Sequence, residues 1–475
     1  MRVKCTFCNR CASHTLNPTP FTALNLPEPV IANLKQLGYH QTTPIQAASL
    51  PEIAAGHDLI AKAQTGSGKT AAFGIGALMK LNPKRYQVQI LVLCPTRELA
   101  GQVATELRRL ARFQPNTKVV SICGGVPIGP QIGSLQHGAH VVVGTPGRIK
   151  DHLRKGTLKL DAIHTLVLDE ADRMLEMGFN QDIRDICSHT PGTRQTLLFS
   201  ATYPEAIQSL SADFQTTPKE VSVEAPQQTG HIDQQFYRLE KSADKADALV
   251  RLLHAEEPES CILFCNTKQQ CYEIRDHLRD SGFVTHTLQG DMEQRERDQV
   301  LVAFANRSCS LLVATDVAAR GIDIDDLDLV INVDLPRDPA VYEHRIGRTG
   351  RAGRDGVAIS LCTTKEQYKV EAIEEHTAFS VDYQTLPKRP SGDSMPPRPK
   401  MVTLCIAGGR KQKVRAGDIL GALTSKSDIT GAQVGKINIL DFAAYVAVER
   451  PIARKALEQL SKGKIKGRSF KVRRL

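Results

Sequence analysis

At 475 residues the chain is too long for one ordinary hydrophobic core, so two to three domains are expected. Hydrophobic residues make up 41%, enough for each domain to bury a core, but the longest apolar runs ("AHVVVG", "HTLVL") fall far short of the ~18 residues of a membrane span, so no membrane partner is expected. Net charge is +10, yet residues 401–475 hold 16 Lys/Arg against 5 Asp/Glu while residues 1–400 hold 45 against 46; so basic a segment either faces a polyanion or merely keeps itself soluble.

The first residues, "MRVKCTFCNRCASHTLNP", contain no continuous apolar stretch and no small-residue cleavage site, so they do not read as a secretory signal, and cytoplasm is the default. The cysteines are scattered rather than framed as in a small secreted scaffold, which fits a reducing compartment. Cys5, Cys8 and Cys11 have the spacing of metal ligands, but a closed site wants a fourth, for which only His14 is at hand. Residues 1–20 are therefore expected to be a disordered leader.

From Phe21 to residue 225, apolar β-rich runs ("DLIAKA", "QILVLCP", "KVVSICG", "AHVVVGTP", "HTLVLDEA", "QTLLFSAT") alternate with amphipathic helical stretches such as "ELAGQVATELRRLARF". Buried strands alternating with helices predict a parallel α/β sheet. In "AKAQTGSGKTAAF" a phosphate-binding loop follows the first strand and opens a helix, with Ala63 where the first glycine is usual. The N–H groups of Gly66, Ser67 and Gly68 would cradle phosphates, Lys69 would reach the β and γ phosphates of ATP, and the Thr70 hydroxyl would face Mg²⁺. About a hundred residues on, Asp169 and Glu170 end a buried strand, where two carboxylates are costly unless a cation compensates. Asp169 is the expected Mg²⁺ ligand, and Glu170 the group that polarises the attacking water.

The same rhythm restarts at Ile232 after "VEAPQQTGHIDQQ", read as a linker, and runs to residue 386 through "ESCILFCNT", "VTHTLQG", "SLLVATD", "LDLVINVDLP" and "GVAISLCTT". This second α/β domain closes with "YEHRIGRTGRAGR", in which Arg345, Arg348, Arg351 and Arg354 recur every three residues. Beside a phosphate loop elsewhere in the chain, these read as arginine fingers for a γ-phosphate, with Arg348 and Arg351 catalytic, so hydrolysis would need domain closure. Residues 387–400, rich in proline, form a linker.

Residues 401–475 are expected to fold. "VTLCIAGG" reads as a strand, "RAGDILGALTS" as a helix, "VGKINIL" and "AAYVAVE" as strands, "PIARKALEQL" as a helix and "RSFKVRRL" as a last strand. That β-α-β-β-α-β order is the RNA-recognition-motif pattern. Asp441 replaces the basic first position of the usual signature and Ala443 an aromatic, leaving Tyr445, so stacking of bases on the sheet is expected to be weak. Arg410, Lys411, Lys413, Arg415 and the cluster Lys464, Lys466, Arg468, Lys471 are the expected RNA contacts.

Taken together, these motifs resemble the DEAD-box family of ATP-dependent RNA helicases over residues 21–386. "GYHQTTPIQ" is similar to the adenine-recognition region, with Tyr39 a stacking candidate, Gln46 reading the base edge and Phe21 the isolated upstream aromatic. "PTRELA" with Arg97, Gly124-Gly125 and "TPGR" (Thr145 to Arg148) resemble RNA-backbone contacts, as do "QRER" (Gln294 to Arg297) and the "ATD" threonine, Thr315. "DEAD" is Asp169 to Asp172, "SAT" is Ser200 to Thr202, and Asp323 of "ARGID" is placed among the nucleotide contacts. The resemblance implies two RecA-like domains followed by the small α+β domain, an RNA-stimulated ATPase that melts short duplexes, and a core indifferent to sequence. A duplex-DNA translocase, an ATP-dependent RNA clamp and a general RNA helicase whose basic tail binds any RNA are the rival readings. The divergent last module resembles one bacterial branch of the family, which suggests a 23S rRNA hairpin as target, pre-50S particles as partner and no obligate protein partner.

Overall fold

The structure, a computed structural model, describes residues 19–63, 66–203, 205–223, 231–316, 327–350, 354–377, 379–389, 395–425 and 428–475. The leader cysteines lie outside the described residues. The chain divides into two compact units, 1–227 and 228–475.

In the first unit the apolar runs become short strands: β1 (Leu59–Lys62), β2 (Ile90–Leu93), β3 (Val119–Ile122), β4 (Val141–Gly144), β5 (Thr165–Asp169), β6 (Gln195–Ser200) and β7 (Lys219–Ser222). They form one sheet in the order β3-β4-β2-β5-β6-β1-β7, with every pairing parallel. Strands β2, β4, β5 and β6 are buried at every residue. A sheet covered on both faces needs apolar side chains on both, hence continuous rather than alternating Val/Ile/Leu runs. The helices supply the cover; Arg97–Leu110 turns Ala100, Val103, Ala104, Leu107 and Leu110 inward, all from one helical stripe. The sequence predicts six strands and misses β7, a largely exposed edge strand reading "KEVS".

The second unit repeats this plan with β8 (Ile232–Leu239), β9 (Cys261–Phe264), β10 (Thr285–Leu288), β11 (Leu311–Ala314), β12 (Leu329–Asn332), β13 (Gly356–Thr363) and β14 (Tyr383–Gln384), in the order β10-β11-β9-β12-β13-β8-β14. All are parallel. Strand β8 begins inside the stretch read as a linker: "IDQQ" is already paired with β13. Its polar first half hides it from a pattern search.

The unit continues into a four-stranded antiparallel sheet of β15 (Met401–Ile406), β16 (Val434–Ile439), β17 (Ala444–Glu449) and β18 (Val472–Arg474), in the order β16-β17-β15-β18. Alternation sorts its two faces. Val402, Leu404, Ile406, Ala444, Val446 and Val448 meet Ile419 and Leu423 of helix Ala416–Thr424 and Ala456 and Leu460 of helix Ala453–Lys462. The opposite face carries Thr403, Cys405 and Tyr445 and lies on helix Gln294–Ala305 of the same unit, where Cys405 and Tyr445 pack with Val302. Polar contacts surround that patch: Asn306 Nδ2 donates to Thr403 Oγ1 at 3.2 Å, Arg473 Nη2 to Gln299 Oε1 at 3.1 Å, and Lys400 pairs with Glu259 at 2.5 Å. The proline-rich connection is tied at its ends, Arg251 Nε donating to the Pro387 carbonyl at 2.6 Å and Arg450 Nε to that of Pro399 at 2.5 Å.

Candidate nucleotide and nucleic-acid sites

The phosphate loop leaves β1 and enters helix Lys69–Met79. Gly66 and Gly68 hold φ of 83° and 94°, the left-handed region that glycine adopts without penalty. A side chain at Gly68 would also collide with Gln46, whose Nε2 would stand 2.4 Å from the added carbon. Gln46 is 2% exposed; its Oε1 accepts from Thr43 N at 2.9 Å, and its Nε2 donates to Gly68 O at 3.1 Å. The adenine-region glutamine thus joins its own helix cap to the phosphate loop. Tyr39 is half-buried, its hydroxyl donating to Glu106 Oε1 at 2.7 Å, with Phe21 edge-on at 6.2 Å. Burial and then the Glu106 hydrogen bond push this phenol up to about 12. Phe21 is buried within the core.

Lys69 is buried, its ammonium donating to the Ala63 carbonyl at 2.7 Å. Asp169 ends β5 at 2% exposure; desolvation pushes its carboxyl up to about 7, with Lys69 pulling it down and Glu170 and Asp172 pushing it up. Glu170 occupies the turn into helix Ala171–Glu176 at φ 52° and ψ 54°, a left-handed conformation uncommon for a glutamate. Asp172 Oδ2 accepts from Ala201 N at 3.2 Å and from Thr202 N and Oγ1, both at 3.0 Å. One carboxylate therefore clamps "SAT" to "DEAD". Thr70 and Asp169 offer only oxygen donors, and a buried carboxylate whose charge is so disfavoured gains from a hard divalent cation; the pair fits Mg²⁺. No group of three or more His, Cys, Asp or Glu that could hold a metal occurs among the described residues.

The first unit's expected RNA contacts meet at the C-terminal ends of β2, β3 and β4. Thr96 caps helix Arg97–Leu110 by accepting from Leu99 N at 3.3 Å, which sets Arg97 at the first turn. The Arg97 guanidinium lies flush on Gly125: a Cβ there would stand 1.6 Å from Nη1. Arg148 donates from Nη1 and Nη2 to the Val126 carbonyl at 3.0 and 3.1 Å and from Nη1 to Gln131 Oε1 at 3.2 Å. Buried Gln131 also donates to Cys123 O at 2.8 Å and meets His152 Nε2 at 3.1 Å. Thr145 stands at the N-cap position of the helix that carries Arg148, without a side-chain capping hydrogen bond.

In the second unit Gln294 and Arg297 stand on the first turn of helix Gln294–Ala305, with Gln294 Nε2 donating to Asp298 Oδ1 at 2.8 Å and Arg297 Nη1 to Gln289 O at 3.3 Å. Thr315 follows β11 and is partly exposed. Arg345 is 2% exposed. It forms a fork on Asp316 at 2.7 and 2.8 Å and donates to Asn332 Oδ1, Asp334 O and Asn266 Oδ1, joining the ends of β9, β11 and β12. Its charge is fully engaged inside the unit, which corrects the reading of all four arginines as fingers. Arg348 is partly exposed, and its carbonyl accepts from Leu327 N at 3.1 Å. Arg351 and Asp323 lie outside the described residues.

In the last domain Arg410, Lys411, Lys413, Arg415, Lys464, Lys466, Arg468 and Lys471 are all exposed. Lys466 Nζ donates to Lys413 O at 3.3 Å, so two basic stretches some fifty residues apart share one rim. Tyr445 does not join them. It is 1% exposed against Val302, which corrects its expected RNA contact: the sheet face that would present it is the face docked on helix Gln294–Ala305. Sequence reasoning also missed Glu106 and Gln131, which lie outside the short motifs, and assigned no role to Asp172 and Asp316, which close "DEAD" and "ATD"; each supports a motif residue.

Residues 43–210 match the DEAD/DEAH box helicase family, residues 244–353 the helicase conserved C-terminal domain, and residues 403–474 the DbpA RNA binding domain. The chain is 52% identical over 458 residues, 96% of its length and all of the relative's, to the ATP-dependent RNA helicase DbpA of Escherichia coli (strain K12). It is 46% identical to the DEAD-box ATP-dependent RNA helicase CshA of Geobacillus kaustophilus, covering 76% of this chain and 77% of that one. Among solved structures it is similar to S. cerevisiae Dbp5 bound to RNA and ADP BeF3, with TM-score 0.68 and 31% identity over 77% of this chain and 95% of that one. No helix among the described residues is long and apolar enough to cross a membrane.

Proposed function

Because the chain belongs to the DEAD-box family of ATP-dependent RNA helicases, we propose that it couples ATP hydrolysis to local melting of 23S rRNA during large-subunit assembly in the cytoplasm, guided to an rRNA hairpin by residues 401–475. The observation that carries the target is the match of residues 403–474 to the DbpA RNA binding domain behind a complete helicase core.

Gly66, Ser67, Gly68 and Lys69 bind the phosphates, Tyr39, Gln46 and Asp323 the rest of the nucleotide. Thr70 and Asp169 would hold Mg²⁺, whose positive charge would offset the negative charge of the phosphates. Glu170 orients the attacking water and takes its proton, while Arg348 and Arg351 stabilise the charge on the transferred phosphoryl group. Asp172 carries the state of the nucleotide site into "SAT". Arg97, Gly125, Thr145 and Arg148, with Gln294, Arg297 and Thr315, grip the RNA backbone without reading bases.

ATPase rates of the full chain at matched salt, with no nucleic acid, DNA, an unrelated RNA hairpin and the 23S hairpin of equal length, test this. Strong stimulation by the 23S hairpin over the unrelated one is expected. Equal stimulation by both would leave a general helicase with a sequence-blind basic tail, since phosphate contacts alone do not discriminate.

A further inference from the structure

RNA-recognition folds ordinarily stack bases on aromatic side chains of the sheet. Here that face is closed, with Cys405 at 5% and Tyr445 at 1% exposure, so base contacts of this domain have to come from its rim. One large aromatic stands there. Phe442, in the turn between β16 and β17, is 69% exposed, against 37% for Leu420, the only other exposed large hydrophobic residue in the described part of this domain.

A lone apolar side chain on a surface is ordinary; the mounting of this one is not. Its turn is clamped to the neighbouring turn Gly409–Lys413 by Arg410 N donating to Leu440 O at 2.8 Å and Lys411 N to Asp441 O at 2.9 Å, and closed on itself by Leu440 N to Ala443 O at 2.8 Å. The two backbones touch: a Cβ at Gly409 would lie 2.2 Å from Leu440 O and 2.8 Å from Ala443 N. The partner turn carries Arg410, Lys411 and Lys413, all exposed; Arg410 Nε stands 3.5 Å from the carboxylate of Asp441, the residue before Phe442, and Lys466 reaches the Lys413 carbonyl. A rigidly held aromatic face rimmed by cations is the composition that grips single-stranded nucleic acid, the ring taking a base while the cations track phosphates.

We propose that Phe442 stacks on an unpaired base of an RNA hairpin loop, and that this rim platform replaces the closed sheet face. The inference rests on the RNA-binding reading above and adds the residue and the nucleotide state it recognises.

Binding of the full-length chain to a hairpin with an open loop and to a blunt duplex of equal charge tests it. Phe442→Ala is expected to weaken the open-loop hairpin roughly 5- to 150-fold, the range for one stacked base, to leave the duplex unchanged, and to keep the salt slope, because every cation stays in place. The chain has no tryptophan, so Phe442→Trp makes a single-tryptophan protein that should keep the affinity and lose fluorescence on binding the hairpin. Unchanged affinity of Phe442→Ala at every salt concentration, or an equal loss for hairpin and duplex, overturns the platform. If the wild-type chain binds neither RNA and is not stimulated by RNA, the helicase reading fails first and the platform with it.

Discussion

The loops around the first unit's sheet and the surface of the last domain solve opposite problems. In the first, Asp169 ends a strand and Lys69, Glu170, Arg97 and Arg148 follow strand ends, where the sheet leaves side chains and backbone N–H groups pointing outward, and burial pushes the Asp169 carboxyl up. In the last domain the sheet face is taken up by docking, and the cations stand dispersed on the rim in water. Chemistry on a phosphate demands fixed positions and therefore compact motifs; attraction to a polyanion tolerates scatter and leaves a charge excess instead.

The comparison breaks most visibly at Glu170. Replacing it by glutamine should slow hydrolysis by roughly 10²- to 10⁴-fold while ATP still binds, the loss typical of a positioned acid–base group; single-turnover hydrolysis against nucleotide affinity separates the two, and near-normal turnover would remove its assigned role. Arg348→Ala is expected to cost up to ~10³-fold in RNA-stimulated turnover, measured at saturating ATP and RNA. The rim should behave differently. Lys464→Ala with Lys466→Ala and Arg468→Ala should weaken RNA about equally across sequences and flatten the dependence of log affinity on log salt by about 0.7 to 0.9 for each phosphate no longer neutralised; a weakening confined to one sequence would show that these residues read bases.

Tyr445 sharpens the contrast, since it is a structural residue in a place where the fold leads one to expect a ligand contact. Tyr445→Ala should destabilise the chain by roughly 3 kcal/mol as a buried ring is deleted, visible in the denaturant midpoint; an intact midpoint with weakened RNA affinity would return it to the RNA surface. The smallest effect concerns pH. His140 is buried, with Nδ1 accepting from Lys118 N at 2.9 Å, Nε2 meeting Pro83 O at 3.1 Å and Tyr86 against the ring. Burial holds the imidazole below its usual 6.5, the Pro83 carbonyl opposing and Lys118 assisting. The folded state therefore binds fewer protons than the unfolded one, so the stability this site contributes is present above pH 6.5 and is lost as pH falls below it. Thermal melts of wild type and His140→Gln between pH 5 and 8 should show a shallower slope in the variant.

Much of this was legible beforehand because the phosphate loop, the carboxylate pair and the arginine segment each lie within about a dozen residues and carry their own chemical logic. What was not legible depends on distance or on context. Glu106 lies 67 residues from Tyr39, and no local pattern announces the pair. Strands β7 and β14 are short, exposed edges with few apolar residues. For Tyr445 the strand was right, but which face meets water is decided by a helix some 140 residues away, and alternation alone cannot say what covers a face.

That helix has a further effect. Gln294–Ala305 begins with Gln294 and Arg297 and ends beneath the docked domain, and its twelve residues span about 18 Å. A domain on a loose tether would sweep a sphere; seated on this rod, it acts as a ruler. If RNA binds both at the rim and at the start of the helix, as proposed above, the two contacts would be held at a set separation, and the spacing between a recognition hairpin and a meltable duplex would then enter the choice of substrate.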